Sequence, residues 1–258
     1  MAGKRKGQTM ETIAIINRKG GVGKTATAQA LGAGLIRKGC KVLFVDLDSQ
    51  TNLTYGLGAD AGQVNSMDVL TGEATAQEAV QHTQQGDVIP AGEDLAGADK
   101  VITDTGKEYK LKEALADLAG SYDYVIIDTP AALGTLTINA LTAADSVIIP
   151  VQADIYSLQG IEQLNQTIEA VKKYCNPALY IRGILATRYN GRAIISKDML
   201  SNFEEAAGQL NTRLYSTPIR ECISIKEAQA SQQNIFEYAP RSNAAKDYNA
   251  FIDEFLEV

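Results

Sequence analysis

Short apolar runs alternate with longer amphipathic stretches along most of the 258-residue chain. Residues 12–17 form the first run and predict a strand; Val42-Leu43-Phe44-Val45 form the second. Tyr124-Val125-Ile126-Ile127, Ser146-Val147-Ile148-Ile149 and Tyr180-Ile181-Arg182-Gly183-Ile184-Leu185 follow. Continuous apolar runs, rather than alternating ones, are expected of strands buried on both faces, as in a parallel sheet. Helices are predicted over 24–38, ending near Gly39, and over stretches near 107–119, 135–144 and 157–175. Residues 59–106 are less regular and rich in Gly, Ala and Gln; they predict a small helix, a short strand at Val88-Ile89 and loops. The pattern as a whole predicts an α/β chain with a doubly wound, mostly parallel sheet that binds ligands at the carboxyl ends of its strands. No repeat or long linker interrupts it, which predicts one domain over 10–258.

Composition narrows the class. Hydrophobic content of 45% and charged content of 21% are ordinary for a globular protein. No apolar run reaches the roughly 18 residues of a transmembrane helix, so stable membrane association is not expected. Residues 1–9 begin Met1-Ala2-Gly3-Lys4-Arg5-Lys6-Gly7. They are basic and lack the apolar core of a secretion signal, which predicts a disordered extension and a cytoplasmic protein. Cys40, Cys175 and Cys222 are far apart and form no Cys-X-X-Cys pair, so reduced thiols are expected. The single histidine, His82, lies in a polar stretch, is expected to be solvated, and offers no zinc cluster.

The chemistry starts directly behind the first strand. Residues 18–25 read Arg-Lys-Gly-Gly-Val-Gly-Lys-Thr. Such a loop between strand and helix closes backbone N–H groups around phosphate oxygens, and the helix N-terminus adds its partial positive charge. Gly20, Gly21, Val22, Gly23, Lys24, Thr25 and Ala26 are the candidate phosphate contacts, Lys24 reaching the β- and γ-phosphates and Thr25 ligating Mg²⁺. The first glycine of the general motif is replaced by Arg18, and Lys19 follows it. The second strand ends Asp46-Leu47-Asp48-Ser49-Gln50-Thr51-Asn52; carboxylates at i and i+2 point to one side of an extended chain. A third motif, Val125-Ile126-Ile127-Asp128-Thr129-Pro130, fits a strand whose Asp holds Mg²⁺ and whose Thr-Pro opens a switch loop near the γ-phosphate. Gly134 leaves that loop its freedom.

Lys-Gly-Gly-X-Gly-Lys-Thr resembles the deviant Walker A signature of the P-loop ATPase branch that includes ParA-type partition ATPases, the Min-system ATPase and the nitrogenase iron protein. The resemblance implies that Lys19 reaches across a dimer interface to the partner's nucleotide. It implies that the Asp46–Asn52 segment is a first switch, in which Asp48 orients the attacking water and Asp46 shapes the metal region. Thr25, Asp48 and Asp128 are then the metal candidates, and Lys19, Lys24 and Asp48 the catalytic ones. Ser49 and Thr51 stand where the family usually has Pro and Gly. Ala186-Thr187-Arg188-Tyr189-Asn190-Gly191-Arg192 and Pro218-Ile219-Arg220-Glu221-Cys222-Ile223-Ser224-Ile225-Lys226-Glu227-Ala228 also resemble this branch, so the similarity runs from about residue 10 to about 256. It implies base contacts at Thr187, Arg188, Pro218 and Ile219.

Within the branch, the chain looks like a ParA-type ATPase of the small class, with no room before the first strand for a helix-turn-helix. Such relatives dimerise with ATP, bind DNA without sequence preference on the nucleoid, and act with a ParB-type centromere-binding protein. Arg188, Arg192, Arg220 and Lys226 are the DNA candidates, whose phosphate contacts would weaken with salt. A basic residue often stands at the position of Ser224 in relatives, and the net charge of −7 opposes indiscriminate DNA affinity. The alternative is a membrane- or protein-complex-positioning ATPase of the Min type. A membrane helix would need a basic polar face, whereas residues 247–258 carry Tyr248, Phe251, Ile252 and Phe255 on one face and acidic residues on the other. That helix is expected to pack back on the domain. Suitably placed cluster cysteines are missing, which disfavours an iron-protein reading, and Tyr238 and Tyr248 make no tyrosine-kinase tail. A ligase or amidotransferase-like synthetase of the same superfamily stays open, with Lys19 and the C-terminal segments weighing against it.

Overall fold

The computed structural model describes residues 10–154 and 157–257. The basic extension expected at 1–9 lies outside the described residues. Seven strands form one sheet: β1 (Glu11–Ile15), β2 (Val42–Asp46), β3 (Gln81–Thr83), β4 (Gly86–Ile89), β5 (Tyr124–Asp128), β6 (Ser146–Gln152) and β7 (Tyr180–Thr187). Their order is β3-β4-β2-β5-β1-β6-β7. All neighbours are parallel except the β3–β4 hairpin at one edge.

The apolar strands feed two cores because successive side chains point to opposite faces. Ala14, Leu43, Val45, Val125 and Ile127 pack on one face with the helices Thr135–Ala143 and Ser157–Tyr174. Ile13, Ile15, Phe44 and Ile126 pack on the other with the loop helix Lys24–Arg37 and the C-terminal helix Asn243–Leu256. Helices on both faces make the sheet doubly wound, as the run pattern predicts. The C-terminal helix starts at Ser242, whose Oγ accepts the Ala245 N–H at 3.1 Å. Its Tyr248, Phe251, Ile252 and Phe255 are all buried, so its apolar face is spent on the core.

Some boundaries differ from the sequence reading. The first strand ends at Ile15 rather than at 17, because Ile16 and Asn17 already lead into the loop. The helix expected near 107–119 is a single 3-10 turn followed by Lys110–Ala116. The irregular stretch 59–106 holds the helices Ser66–Thr71, Ala76–Ala79 and Ala98–Val101 and the whole β3–β4 hairpin. These elements are too short to carry a periodic signal. Two of the helices start with capping boxes, at Asn65 with Asp68 and at Thr75 with Glu78. His82 is exposed on β3, but its Nδ1 lies 2.7 Å from Asp87 Oδ1, so it is paired as well as solvated. Cys40, Cys175 and Cys222 are free thiols.

The loop helix can lie close to the sheet because two of its positions lack side chains. A Cβ on Gly32 would sit 2.1 Å from Phe44 Cε1, and one on Gly34 would sit 2.1 Å from Ile252 Cδ1. A stiff aromatic ring of β2 cannot yield as an aliphatic tip can. Gly32→Val should therefore lower the free energy of unfolding by about 1–3 kcal/mol, the usual range for overpacking. Urea titration at equilibrium checks this; an unchanged midpoint would show that the helix lifts off the sheet at no cost.

Candidate active site

The phosphate loop is fixed by polar side chains that the strand ends supply. Asn17 is buried; its Nδ2 donates to Pro150 O at 2.7 Å while its Oδ1 accepts the Lys19 N–H at 2.9 Å. Thr187, at the end of β7, donates its hydroxyl to Val22 O at 2.6 Å. Gly21 (φ 73°) and Gly23 (φ 89°) occupy the left-handed region, which only glycine enters without strain. Gly23 precedes the first helical residue, and its carbonyl accepts the Thr27 N–H at 2.9 Å. Loop N–H groups and a helix N-terminus thus converge at the carboxyl end of the sheet.

A cleft of about 670 Å³ opens over this loop. Gly20, Gly21, Gly23, Lys24, Thr25 and Ala26 line it, whereas Val22 turns its side chain into the core. Asp48 lines it too, and Asp46 explains how. One Asp46 oxygen accepts the Asp48 N–H at 3.0 Å. The other accepts from the Thr54 N–H and hydroxyl at 2.9 and 2.8 Å. Asp46 is fully buried and organises the turn that presents Asp48. Thr51, where the resembled family usually has glycine, sits at φ 54°, a conformation that costs a non-glycine residue roughly 1–2 kcal/mol.

Asp128 lies beneath the loop, directly beside Asp46 on the neighbouring parallel strand. It is fully buried, and neither of its oxygens has a hydrogen-bond partner among the described residues. Burial pushes its carboxyl well above the ordinary carboxylate range, and Asp46 pushes the same way; Thr25 and Lys24 pull it down. Burial raises Asp46 as well, against the pull of its Thr54 and Asp48 donors. Lys24, itself buried, is lowered by desolvation and held up by Asp128 and Asp48. Two unpartnered oxygens on a buried carboxylate, with the Thr25 hydroxyl close by, are a hard oxygen donor set. They fit Mg²⁺, which binds one or two carboxylates and keeps several waters.

The other candidates divide by location. Thr187, Arg188 and Ile219 line the cleft; Pro218 does not. Thr187 offers its methyl and an acceptor oxygen, since its hydroxyl hydrogen is given to backbone carbonyls. Arg188 donates to Gly21 O at 3.3 Å and to Glu221 at 2.8 and 3.2 Å. Arg220 lines the cleft and is held by Asp247 at 2.6 and 2.9 Å. Lys226 is exposed on the cleft rim, and Arg192 is exposed outside it. Lys19 does not line the cleft; its ammonium pairs with Asp154 at the end of β6. Sequence reasoning missed Asn17 and Thr54. Each is a polar residue next to a motif, where spacing carries no signal about which backbone it will hold.

Known proteins agree with this geometry. The AAA domain family matches residues 10–181. The sporulation initiation inhibitor protein Soj of Bacillus subtilis is 42% identical over 241 residues, 92% of this chain and 94% of that protein. The chromosome partitioning protein ParA of Myxococcus xanthus is 37% identical over 250 residues, 95% of this chain and 87% of that one. Among solved structures, a cobyrinic acid a,c-diamide synthase of Mycobacterium smegmatis, bound to ADP and magnesium, superposes with a TM-score of 0.83 at 36% identity. That superposition covers 96% of this chain and 94% of the other. The chain belongs to the Soj/ParA family of partition ATPases, and ATP hydrolysis is its activity.

Asp128 gives a test. A carboxyl whose folded pKa is raised contributes stability that is complete below its unfolded pKa and is lost as pH rises through the folded one. Asparagine cannot ionise. In nucleotide-free protein, Asp128→Asn should therefore melt higher than wild type, by a margin that widens from acid to alkaline pH. Mg²⁺-nucleotide should raise the melting temperature of wild type far more than that of the variant. Thermal melts at several pH values, with and without ligand, decide; parallel profiles for the two proteins would mean that Asp128 is not held in a costly ionised state.

Proposed function

We propose that this ATPase is a partition switch: it dimerises with ATP, binds DNA without sequence preference, and segregates plasmid, mobile-element or chromosomal DNA with a ParB-type partner on the nucleoid. One observation carries the reading. Lys24 and Asp48 line a cleft at the strand ends, whereas Lys19, from the same loop, does not line it and is paired with Asp154. A cation placed outside its own site is available to a second copy's site.

The cycle follows from that division. Loop N–H groups and Lys24 hold the β- and γ-phosphates. Thr25, Asp128 and Asp48 would hold Mg²⁺, which neutralises charge developing on the phosphoryl oxygens when bound. Asp48 orients water for in-line attack, and the turn organised by Asp46 keeps it there. Lys19 of each copy supplies a second cation to the other, so competent geometry depends on dimerisation. ATP then favours the dimer by differential binding, and hydrolysis releases it.

DNA contact rests on residues that differ in freedom. Arg192 and Lys226 are exposed. Arg188 and Arg220 are tied to Glu221 and Asp247. Against a net charge of −7, a basic surface must be assembled locally, and pairing two chains would double it. The apolar face of the C-terminal helix is buried and so is not offered to a membrane surface. No helix of the described residues is long and apolar enough to cross a membrane. A synthetase reading requires a second substrate before phosphate is released.

Co-sedimentation with random-sequence DNA at low and moderate salt, with ADP and with ATP, tests the proposal. Wild type should bind only with ATP and lose most binding at moderate salt. Lys24→Ala should not bind, and Lys19→Ala should retain ATP but neither dimerise nor bind DNA. Hydrolysis with water alone and no DNA binding in any state would move the function to a protein-positioning ATPase.

A further inference from the structure

The β3–β4 hairpin lies at the sheet edge, yet its turn places a buried amide against the helix that follows Asp48. Thr83 Oγ closes the turn: it accepts the Gln85 N–H at 3.1 Å and donates to Gly86 O at 2.8 Å. Gly86 has φ 132°, a conformation that suits glycine. A Cβ there would sit 2.8 Å from Ile36 Cδ1 and 3.2 Å from Phe44 Cε2, so the turn seats close against the loop helix Lys24–Arg37 and β2. From this seat Gln85 meets Gln29 of the loop helix, and both are buried.

Both hydrogens of each amide find acceptors. Gln29 Nε2 donates to Gly56 O at 3.0 Å and to Gln85 Oε1 at 3.1 Å. Gln85 Nε2 donates to Gly56 O at 2.6 Å and to Gln232 O at 2.8 Å. Gly56 lies in the last turn of the helix Asn52–Leu57, where carbonyls lack intrahelical donors. The N–H groups of Gly58 and Ala59 turn back to Thr54 O and Tyr55 O, which leaves Gly56 O to side chains. Nearer its start the same helix hangs on Asp46 through Thr54, and the turn before it presents Asp48. Gln232 belongs to the loop after the helix Ile223–Ala230, which carries Lys226 and borders the cleft. It sits at φ 52°, a left-handed conformation that its surroundings must maintain. Tyr55 adds a second tie between the two helices, its hydroxyl donating to Ala230 O at 3.3 Å.

The donors thus stand on the core, and the acceptors stand on two elements that border the cleft. An amide that gives one hydrogen to each element fixes their separation. We propose that Gln85, supported by Gln29, is a positioning residue for hydrolysis: it clamps the far end of the helix that follows Asp48 to the loop behind the cleft rim, and so holds Asp48 in register with the phosphates. This rests on the reading of Asp48 as the residue that orients water, and it requires neither DNA nor a ParB-type partner.

Steady-state phosphate release against ATP concentration, in Mg²⁺ and well below the melting temperature, tests it. Gln85→Met keeps the length of the side chain and removes both donors. It should lower kcat roughly tenfold or more, the scale on which misplacing an orienting group acts, and leave KM within about twofold, because the phosphate loop and Lys24 are untouched. Gln29→Met should lower kcat in the same direction. The double variant should lose little more than Gln85→Met alone, as residues that act as one unit do. An unchanged kcat in Gln85→Met, whatever happens to its KM or melting temperature, would overturn the proposal and reduce the amides to satisfying buried carbonyls. Losses that multiply in the double variant would overturn the shared clamp. An Asp48→Ala protein as active as wild type would instead remove Asp48 from the reaction, and the proposal with it, whatever the Gln85 variants do.

Discussion

Two carboxylates occupy adjacent positions on adjacent parallel strands, fully buried, and the active site is organised around that fact. Asp46 and Asp128 are register partners on β2 and β5, where neighbouring strands lie about 4.8 Å apart. Each is raised by burial. Their environments then diverge. Asp46 has three donors and is fully used by the protein. Asp128 has none among the described residues. A fold built for stability alone would not leave two oxygens buried without partners. Those two oxygens, with the Thr25 hydroxyl close by, are a donor set that would suit Mg²⁺.

The loop above these carboxylates is as well determined as they are. Glycines give it the required curvature, but glycines alone would leave it loose. Asn17 pins it to β6 and Thr187 pins it to β7. Thr129, directly after β5, donates to Ile15 O at 2.8 Å, at the root of the loop. Strand ends that belong to different motifs therefore fix one another.

How much of this was readable in the sequence depended on the length of the signal. The central strands read clearly because burial on both faces demands continuous apolar runs, and Val125 to Asp128 satisfies that demand with one polar residue at its useful end. The β3–β4 hairpin did not read. Gln81-His82-Thr83 is polar, three residues long and at a sheet edge, where nothing requires it to be apolar. In the site, residues that touch phosphate follow from the motif, since the chemistry dictates type and spacing together. Residues that hold the motif, such as Asn17 and Thr54, have no fixed spacing; their roles appear only once the backbone groups they satisfy are in place. Thr51 shows the intermediate case. Its departure from the family's glycine was visible, and its left-handed backbone supplies the reason glycine is common there.

The pairing of Lys19 with Asp154 bears on how easily such a switch can act. A lysine that served its own nucleotide would make hydrolysis independent of a partner; one left unpaired would be drawn toward the nearest anion, its own bound phosphates. Pairing with Asp154 keeps it out of its own cleft at small energetic depth, because half-exposed ion pairs contribute roughly 0–1 kcal/mol. In the proposed cycle, a second copy's triphosphate would offer more negative charge than one carboxylate does, so the exchange would favour the dimer. Loss of the γ-phosphate removes part of that charge and brings the competition with Asp154 back toward balance. In the proposed cycle, a weak internal pair would hold the separated state and still yield when ATP is present.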